Sequence, residues 1–298
     1  MFKSFFAALL CLSLFGASAG AAAQEAAAPK KMSAAEFVAT LNFQNGKINL
    51  PGGIATLDLP PAFRYLPPAD AERLLVDGWG NPPGIKSLGM IVPADVSPMS
   101  DSGWAVVVTY DKDGHVKDDD ADSIEYGKLL KEMQESTEKD NAERAKQGYP
   151  SMSLVGWAEA PSYDKANHKL YWAKELSTAN VGPHSLNYNI RVLGREGVLV
   201  LNAVAGMEQI GTIKTQMQLV NGFTEFTPGQ RYADFNSGTD KVAEYGIAAL
   251  VAGGVAAKLG LFGKLFAVLL AFKKLIFIGV AAFGAGIAKL FGRKKAEE

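Results

Sequence analysis

The order of apolar and polar residues divides the chain into a mixed middle part and two strongly apolar ends. Within residues 34–241, strand-like and helix-like stretches are separated by turn signals rich in Gly, Pro, Asn and Asp. In residues 186–192, LNYNIRV, apolar and polar positions alternate strictly, which predicts a strand with one buried face and one face in water. Because successive predicted strands have hairpin-length links, we predict an α+β fold with a largely antiparallel sheet and packed helices.

The same patterns predict the individual elements. Strands are predicted over residues 47–50, 55–59, 87–92, 104–110, 152–160, 169–176, 186–193 and 198–204. Helices are predicted over residues 70–77, 123–147 and 207–220. The last four strands form two hairpins, with loops at residues 161–167 and 194–197. Proline pairs at positions 60–61, 67–68 and 82–83 exclude central strands at those points.

The N-terminal end has the pattern of a secretory signal. Lys3 is followed by an apolar core over residues 5–15 and by small residues at positions 17–20, so we predict a signal peptide over residues 1–23. An uncleaved N-terminal anchor is the alternative. A flexible leader is expected over residues 24–33 and an extracytoplasmic domain over residues 34–241. The single cysteine lies within the signal, so the mature chain is expected to have no thiol.

The C-terminal end is apolar with scattered lysines. Residues 245–272 are apolar apart from Lys258 and Lys264, and they predict a transmembrane helix over residues 242–264. Residues 265–298 form an amphipathic or second membrane segment with a basic tail. We predict one span, because a return span would export the basic tail against the positive-inside tendency. A membrane hairpin and a helical hairpin buried in the domain are the alternatives.

Charge supports this placement at a lipid bilayer. Residues 24–241 hold 21 basic and 28 acidic residues, whereas residues 242–298 hold 8 basic and 3 acidic residues. The domain is therefore acidic and is not expected to bind nucleic acid, and the tail is basic. We predict that the protein lies in a bacterial inner membrane with its main domain in the periplasm.

Small residues recur at every fourth position of the predicted membrane helix. They are Ala248, Ala252, Ala256 and Gly260. One face of the helix would then allow close approach of another helix backbone. This pattern indicates a second copy of the chain, in a homo-oligomer, as one possible partner. An envelope protein is the other partner that we consider.

The densest group of ionisable residues is an acidic stretch between the strand over residues 104–110 and the following helix. Its candidate metal ligands are Asp111, Asp113, Asp118, Asp120 and Asp122. Calcium is bound by several oxygens from a flexible loop, but the spacing does not match an EF-hand. We therefore prefer a solvated acidic turn whose last aspartate caps the following helix, and assign no metal site.

Motifs for catalysis and cofactor binding are missing from the sequence. It contains no Walker loop and no dinucleotide fingerprint, so we assign no catalytic residue and no cofactor. A hydrolase that uses His115 beside Asp113 is an alternative. Core packing accounts for most tryptophans, but Trp79 lies in a Gly/Pro-rich loop over residues 77–84 and is a candidate for a ligand groove.

Several longer segments carry a family resemblance. They include INLPGGIATLDLP, LLVDGWGNPPG, GWAVVVTYDKDGHVKDDDAD, LVGWAEAPSYD, LNYNIRVLGREGVLVLNAVA and FTPGQRYADFNSGTDKVAEYGIAALVAGG. In these segments the chain resembles a bacterial family of membrane-anchored proteins of unknown function. The resemblance implies secretion and anchoring but no activity. We therefore predict a noncatalytic binding or envelope-associated module, with a tethered hydrolase or a membrane-oligomerising structural protein as alternatives.

Overall fold

The computed structural model describes residues 32–252. The predicted signal peptide, most of the predicted leader and residues 253–298 lie outside the described residues. Contacts divide the chain into the units Met1–Ser33 and Ala34–Glu298. All helices and strands below belong to the second unit.

Within the described residues the domain contains ten strands and five α-helices. The strands are β1 (Lys47–Asn49), β2 (Ala55–Asp58), β3 (Phe63–Leu66), β4 (Gly89–Pro93), β5 (Ala105–Asp111), β6 (Met152–Asp164), β7 (Lys169–Thr178), β8 (Ser185–Leu193), β9 (Val198–Gly206) and β10 (Thr224–Phe226). The helices are α1 (Ala34–Ala39), α2 (Pro68–Arg73), α3 (Tyr126–Lys146), α4 (Ile210–Gly222) and α5 (Ile247–Ala252).

The strands form two antiparallel sheets. The small sheet has the order β1-β2-β10, and the large seven-stranded sheet has the order β3-β4-β5-β9-β8-β7-β6. Every pair of neighbouring strands in the large sheet is antiparallel. The predicted α+β class with a largely antiparallel sheet is therefore confirmed.

The first of the two predicted hairpins is tighter than the sequence indicated. Its strands β6 and β7 extend to Asp164 and begin at Lys169, so most of the predicted loop over residues 161–167 is strand. Pro161 is tolerated because β6 is an edge strand. Register shifts between Leu154 and Ser162 also interrupt the regular pairing there. The second hairpin, β8 and β9, has the predicted turn.

Three short elements are additions to the predicted set. They are β3, β10 and α1, of three to six residues each. The edge strand β3 lies between two proline pairs, which agrees with their exclusion from central strands. The long helix α3 begins at Tyr126, three residues after its predicted start, because residues 121–123 form a 3-10 turn.

Alternating residues give the large sheet two different faces. On β8, Leu186, Tyr188 and Ile190 belong to a core under α4 and the small sheet. The opposite face carries two separate apolar clusters. One includes Trp172 and packs under α3 and α5; the other includes Val107 and packs under α1 and α2.

The polar face of β8 is not the water-exposed face that its alternation predicted. Asn187 and Arg191 are only partly exposed, and Asn189 is 4% exposed. The reason is tertiary: the helices at either end of the sheet cover this face. The polar residues therefore lie in a space between two apolar clusters.

The first part of the predicted membrane helix packs against the domain. Residues 242–246 are not helical, and α5 begins at Ile247. Ile247, Leu250 and Val251 are buried in the cluster under α3, so the folded body continues past residue 241. No helix within residues 32–252 combines the length and the apolar character needed to cross a bilayer. The rest of the predicted span, residues 253–264, lies outside the described part.

A glycine in the turn after β5 allows this segment to pack closely. Gly114 has a φ of 113°, and a Cβ there would lie 2.7 Å from the carbonyl oxygen of Lys241. We expect Gly114→Ala to lower the free energy of unfolding by about 2–4 kcal/mol, measured by urea unfolding. The control is Gly127→Ala on α3, where a Cβ meets nothing within 4 Å and stability should stay constant or rise slightly. Equal effects of the two substitutions would contradict the close contact.

Candidate functional site

A cavity of about 420 Å³ lies over the covered face of the large sheet. Its floor consists of alternate residues of β5, β9 and β8, and its walls come from the segment after α2 and from β6 and β7. The volume lies within the usual range of small-molecule sites, about 300–1,000 Å³. Its lining residues are Leu75, Trp79, Asn81, Ile85, Val107, Thr109, Met152, Leu176, Ser185, Asn187, Arg191, Val200, Asn202 and Val204.

Arg191 is the cationic side chain that lines the cavity. Its guanidinium lies 4.9 Å from the centre of the Trp172 ring and donates through Nη1 to Oδ1 of Asn189 at 3.3 Å. Burial lowers the pKa of Arg191 to about 10, while Asp111 and Tyr245 act in the opposite direction. At neutral pH the guanidinium stays charged, so the sheet holds a partly desolvated cation beside the cavity.

A second cation lies next to the cavity on the neighbouring strand. Lys174 of β7 is directly opposite Asn187 of β8. Burial, together with the charge of Arg191, lowers the pKa of Lys174 to about 8. Among the ion pairs of the described chain, none within 4.0 Å includes Lys174 or Arg191.

Asparagine amides complete the polar part of the floor. The Nδ2 of Asn202 donates to Oδ1 of Asn187 over 3.5 Å, and the Nδ2 of Asn189 donates to the carbonyl oxygen of Asn187 at 3.1 Å. The Oδ1 of Asn202 is buried and has no hydrogen-bond partner in the described part of the chain. A buried amide with an unused acceptor costs free energy, so this floor is suited to a polar ligand better than to an empty space.

Trp79 lies in the wall of this cavity, as the candidate groove residue of the sequence analysis. Its Nε1 donates to the carbonyl oxygen of Pro98 at 2.9 Å, and its ring packs on the cluster under α1 and α2. Sequence reasoning did not identify Arg191, Lys174 or Asn187. For Arg191 and Asn187 the signal was the alternation over residues 186–192, which we interpreted as a water-exposed face.

The acidic stretch does not converge on one point. Asp120 accepts from the backbone N–H groups of Ile247 and Ala248 at 2.9 and 3.2 Å, and Asp113 accepts from the hydroxyl of Tyr245 at 2.8 Å. Asp118 accepts from the hydroxyl of Tyr163 at 2.8 Å.

No group of three or more potential ligands that could hold a metal ion occurs within residues 32–252. Asp111 acts electrostatically on Arg191, and Asp122 is exposed on the 3-10 turn before α3. The expected cap of the following helix is also different: Asp120, and not the last aspartate, caps α5, and α3 has no side-chain cap. The described aspartates hold the chain together at separate points.

His115 lies in a stack of rings, not in an acid–base pair with Asp113. It is 6% exposed, and its ring centre is 3.9 Å from that of Phe235 and 4.2 Å from that of Tyr232. The ring of His168 also stacks on that of Tyr232, with 3.9 Å between the ring centres. Burial lowers the pKa of His115, although Gly194, Arg195 and Asp118 oppose this effect. A buried neutral imidazole suits packing of the segment after β10.

Half of the small-residue face predicted for oligomerisation lies within the described residues. Ala248 and Ala252 line an apolar cleft of about 390 Å³ together with Leu129 and Met133 of α3. Ala256 and Gly260 lie outside the described residues. The homo-oligomer through this face stays a prediction.

A family model matches nearly the whole described domain. Residues 42–284 match the family model described as a protein of unknown function, DUF2167. The chain belongs to this family. The match covers most of the DUF2167 chain, including both walls of the cavity, and supports an uncharacterised family as the sequence resemblance implied. No similar sequence was found among the curated proteins.

Solved structures with low similarity include three from different organisms. PsbP from Synechocystis sp. PCC 6803 is 12% identical, with a TM-score of 0.33, over 63% of this chain and 94% of that chain. The Ran-binding protein Mog1p from Saccharomyces cerevisiae is 11% identical, with a TM-score of 0.31, over 66% and 100%. LpqN from Mycobacterium tuberculosis is 16% identical, with a TM-score of 0.30, over 65% and 96%.

The buried lysine beside the cavity should reduce stability. We expect Lys174→Met to raise the free energy of unfolding at pH 7 by about 2 kcal/mol, because the lowered pKa of Lys174 measures the cost of its charge in the folded state. In the parent protein, stability should also rise from pH 8 to 10, where the unfolded chain holds this proton and the folded chain releases it. Lys139→Met, at an exposed lysine of α3, is the control. An unchanged or lower stability of Lys174→Met would contradict the prediction.

The stacked histidine should produce a second pH effect. Below pH 6.5, the ordinary value for histidine, the unfolded chain takes up a proton before folded His115 does, so the free energy of unfolding falls as pH falls. His115→Phe keeps a stacked ring and should reduce this slope. Urea unfolding between pH 5 and 7 measures it, with exposed His184→Phe as the control. An identical slope in His115→Phe and the parent protein would show that His115 is not responsible.

Proposed function

We propose that this protein is a noncatalytic binding module of the bacterial envelope, which takes up a small molecule in the cavity over its large sheet. The observation that carries this proposal is the placement of Arg191, Asn187 and Asn202 around a cavity of about 420 Å³. A sheet face that served only for packing would be apolar, as the opposite face is. Retaining polar and charged groups there costs stability, and a bound ligand would offset this cost.

The proposal includes anchoring at the inner membrane with the main domain in the periplasm. It is supported by the signal-like residues 1–23, by the apolar residues 245–272 and by the basic tail. The C-terminal part would then contact the lipid bilayer directly. An envelope protein or a second copy of this chain could bind to the same anchored domain as a further partner.

Binding without catalysis agrees with the partners of the groups that a hydrolase would use. Asp113 accepts a hydrogen bond from Tyr245, and His115 is enclosed by Tyr232 and Phe235. Neither residue lines the cavity over the sheet. Hydrolysis by this pair therefore has less support than binding.

Filling the cavity tests the proposal without reference to the chemistry of the ligand. Val204 lines the cavity, so Val204→Phe should occupy the space that a ligand needs. The control is Val155→Phe, at an exposed valine of β6. Full-length proteins are purified from bacterial membranes in a nonionic detergent, and native mass spectrometry measures any small molecule that remains bound.

We expect a bound small molecule on the parent protein and on Val155→Phe, and its loss from Val204→Phe. The released compound should keep its mass when incubated again with the parent protein. Equal retention by Val204→Phe, or no bound compound on any of the three proteins, would contradict binding in this cavity. Conversion of the compound into a product would instead establish an enzyme.

A further inference from the structure

We propose that the cavity selects a small organic monocarboxylate, whose carboxylate contacts Arg191 and whose apolar body lies against Trp79 and Leu75. This inference rests on the proposed function and adds the chemical class of the ligand. It depends on three features of the described residues: the free donors of Arg191, the charge around them, and the valines that line the neighbouring strands.

The guanidinium of Arg191 is held in place by its neighbours, but most of its N–H donors have no hydrogen-bond acceptor in the described chain. Trp172 supports its plane from one side, and Asn189 accepts from one Nη1 donor. The guanidinium has five N–H donors in a fixed planar arrangement, which matches the two oxygens of a carboxylate. In the described part of the chain, this single bond to Asn189 is the only hydrogen bond that the guanidinium makes. Arg191 therefore keeps donors for a ligand in the cavity that it lines.

The formal charges around the cavity favour one negative charge on the ligand. Arg191 and Lys174 supply two positive charges on one face of the sheet, and Asp111 is the carboxylate that acts on Arg191. The ion pairs within 4.0 Å in the described chain leave the charge of Arg191 without a direct counter-charge. A monoanion would neutralise it, whereas a dianion would bring an excess of negative charge into a partly desolvated space.

The charged group of the lining lies on β8, and valines line the neighbouring strands. Arg191 and Asn187 belong to β8, while the next two strands, β9 and β5, carry Val200, Val204 and Val107 beside the uncharged polar residues Asn202 and Thr109. With strands about 4.8 Å apart, β5 lies about 10 Å from β8. Leu75 and Trp79 pack in one apolar cluster with Val107, and both line the cavity. A ligand with a charged head and a short apolar body fits this arrangement.

Two matched probes separate charge from shape. 3-Phenylpropionate has a carboxylate joined to a short aromatic body, and 3-phenylpropan-1-ol has the same body with a neutral head. Acetate supplies the charge without the body. Binding of each probe to the full-length protein in a nonionic detergent is measured by isothermal titration calorimetry. The variants are Arg191→Met and Arg191→Lys, with Lys139→Met as the control on an exposed lysine.

We expect 3-phenylpropionate to bind at least about tenfold more tightly than the alcohol and acetate, because only it uses both parts of the cavity. Arg191→Met should weaken binding of the acid about tenfold or more and leave binding of the alcohol unchanged. Arg191→Lys keeps the charge but loses the planar pair of N–H donors, so it should weaken binding of the acid less than Arg191→Met does. Lys139→Met should behave as the parent protein does.

Other outcomes overturn the inference. Equal binding of acid and alcohol, or equal weakening of both by Arg191→Met, would show that the cavity does not select the carboxylate, although binding in it would stand. Absence of binding of the acid up to about 10 mM would also overturn this ligand class. The cavity-filling comparison of Val204→Phe and Val155→Phe tests the proposed function separately. If Arg191→Met does not fold, the acid and alcohol affinities of the parent protein and Arg191→Lys decide.

Discussion

Desolvation of a charged strand face is the physical constraint on which the arrangement of this domain depends. Arg191 and Lys174 lie on the covered face of the large sheet, where burial lowers the pKa of both. Two apolar clusters pack on the same face at either side, and they could close over it completely only by excluding these cations from water. The clusters instead stay apart, and the space between them is the cavity over Asn187 and Asn202. The cost of keeping charge on the sheet and the existence of the cavity thus have one cause.

The acidic stretch after β5 has the opposite role, because its carboxylates stabilise contacts between distant parts of the chain. Asp120 caps α5 and Asp113 binds Tyr245, while the bidentate pair of Arg195 with Asp240 holds the same segment to the turn between β8 and β9. That pair keeps the pKa of Asp240 well below its usual range. Together with the stacked ring of His115, these contacts fix the chain up to residue 252.

The acidic stretch and the polar face of β8 show why residue types alone pointed to the wrong part of the chain as the candidate site. Dense aspartates and a nearby histidine are the usual components of a reactive site, yet here they bind other parts of the same chain. The polar residues of β8 had a simple solvent-facing interpretation, yet they line a cavity of ligand size. Membership of a family of unknown function leaves these contacts as the basis for inferring what the protein does.

Local sequence patterns were sufficient to predict most strands and helices, the antiparallel connections and the second hairpin, because periodicity, turn residues and caps act over a few neighbouring positions. They could not predict β3 and β10, which are too short for a pattern and exist through pairing with β4 and β2. Alternation in β8 determined which residues share a face, but only the packing of α2 and α3 decided that its polar face is covered. Apolar residues after position 246 likewise fit a membrane helix or a buried one, since hydropathy measures transfer from water and not the identity of the apolar surroundings. Contacts between residues more than 100 positions apart, such as Asp120 with Ile247, were decided by the tertiary structure alone.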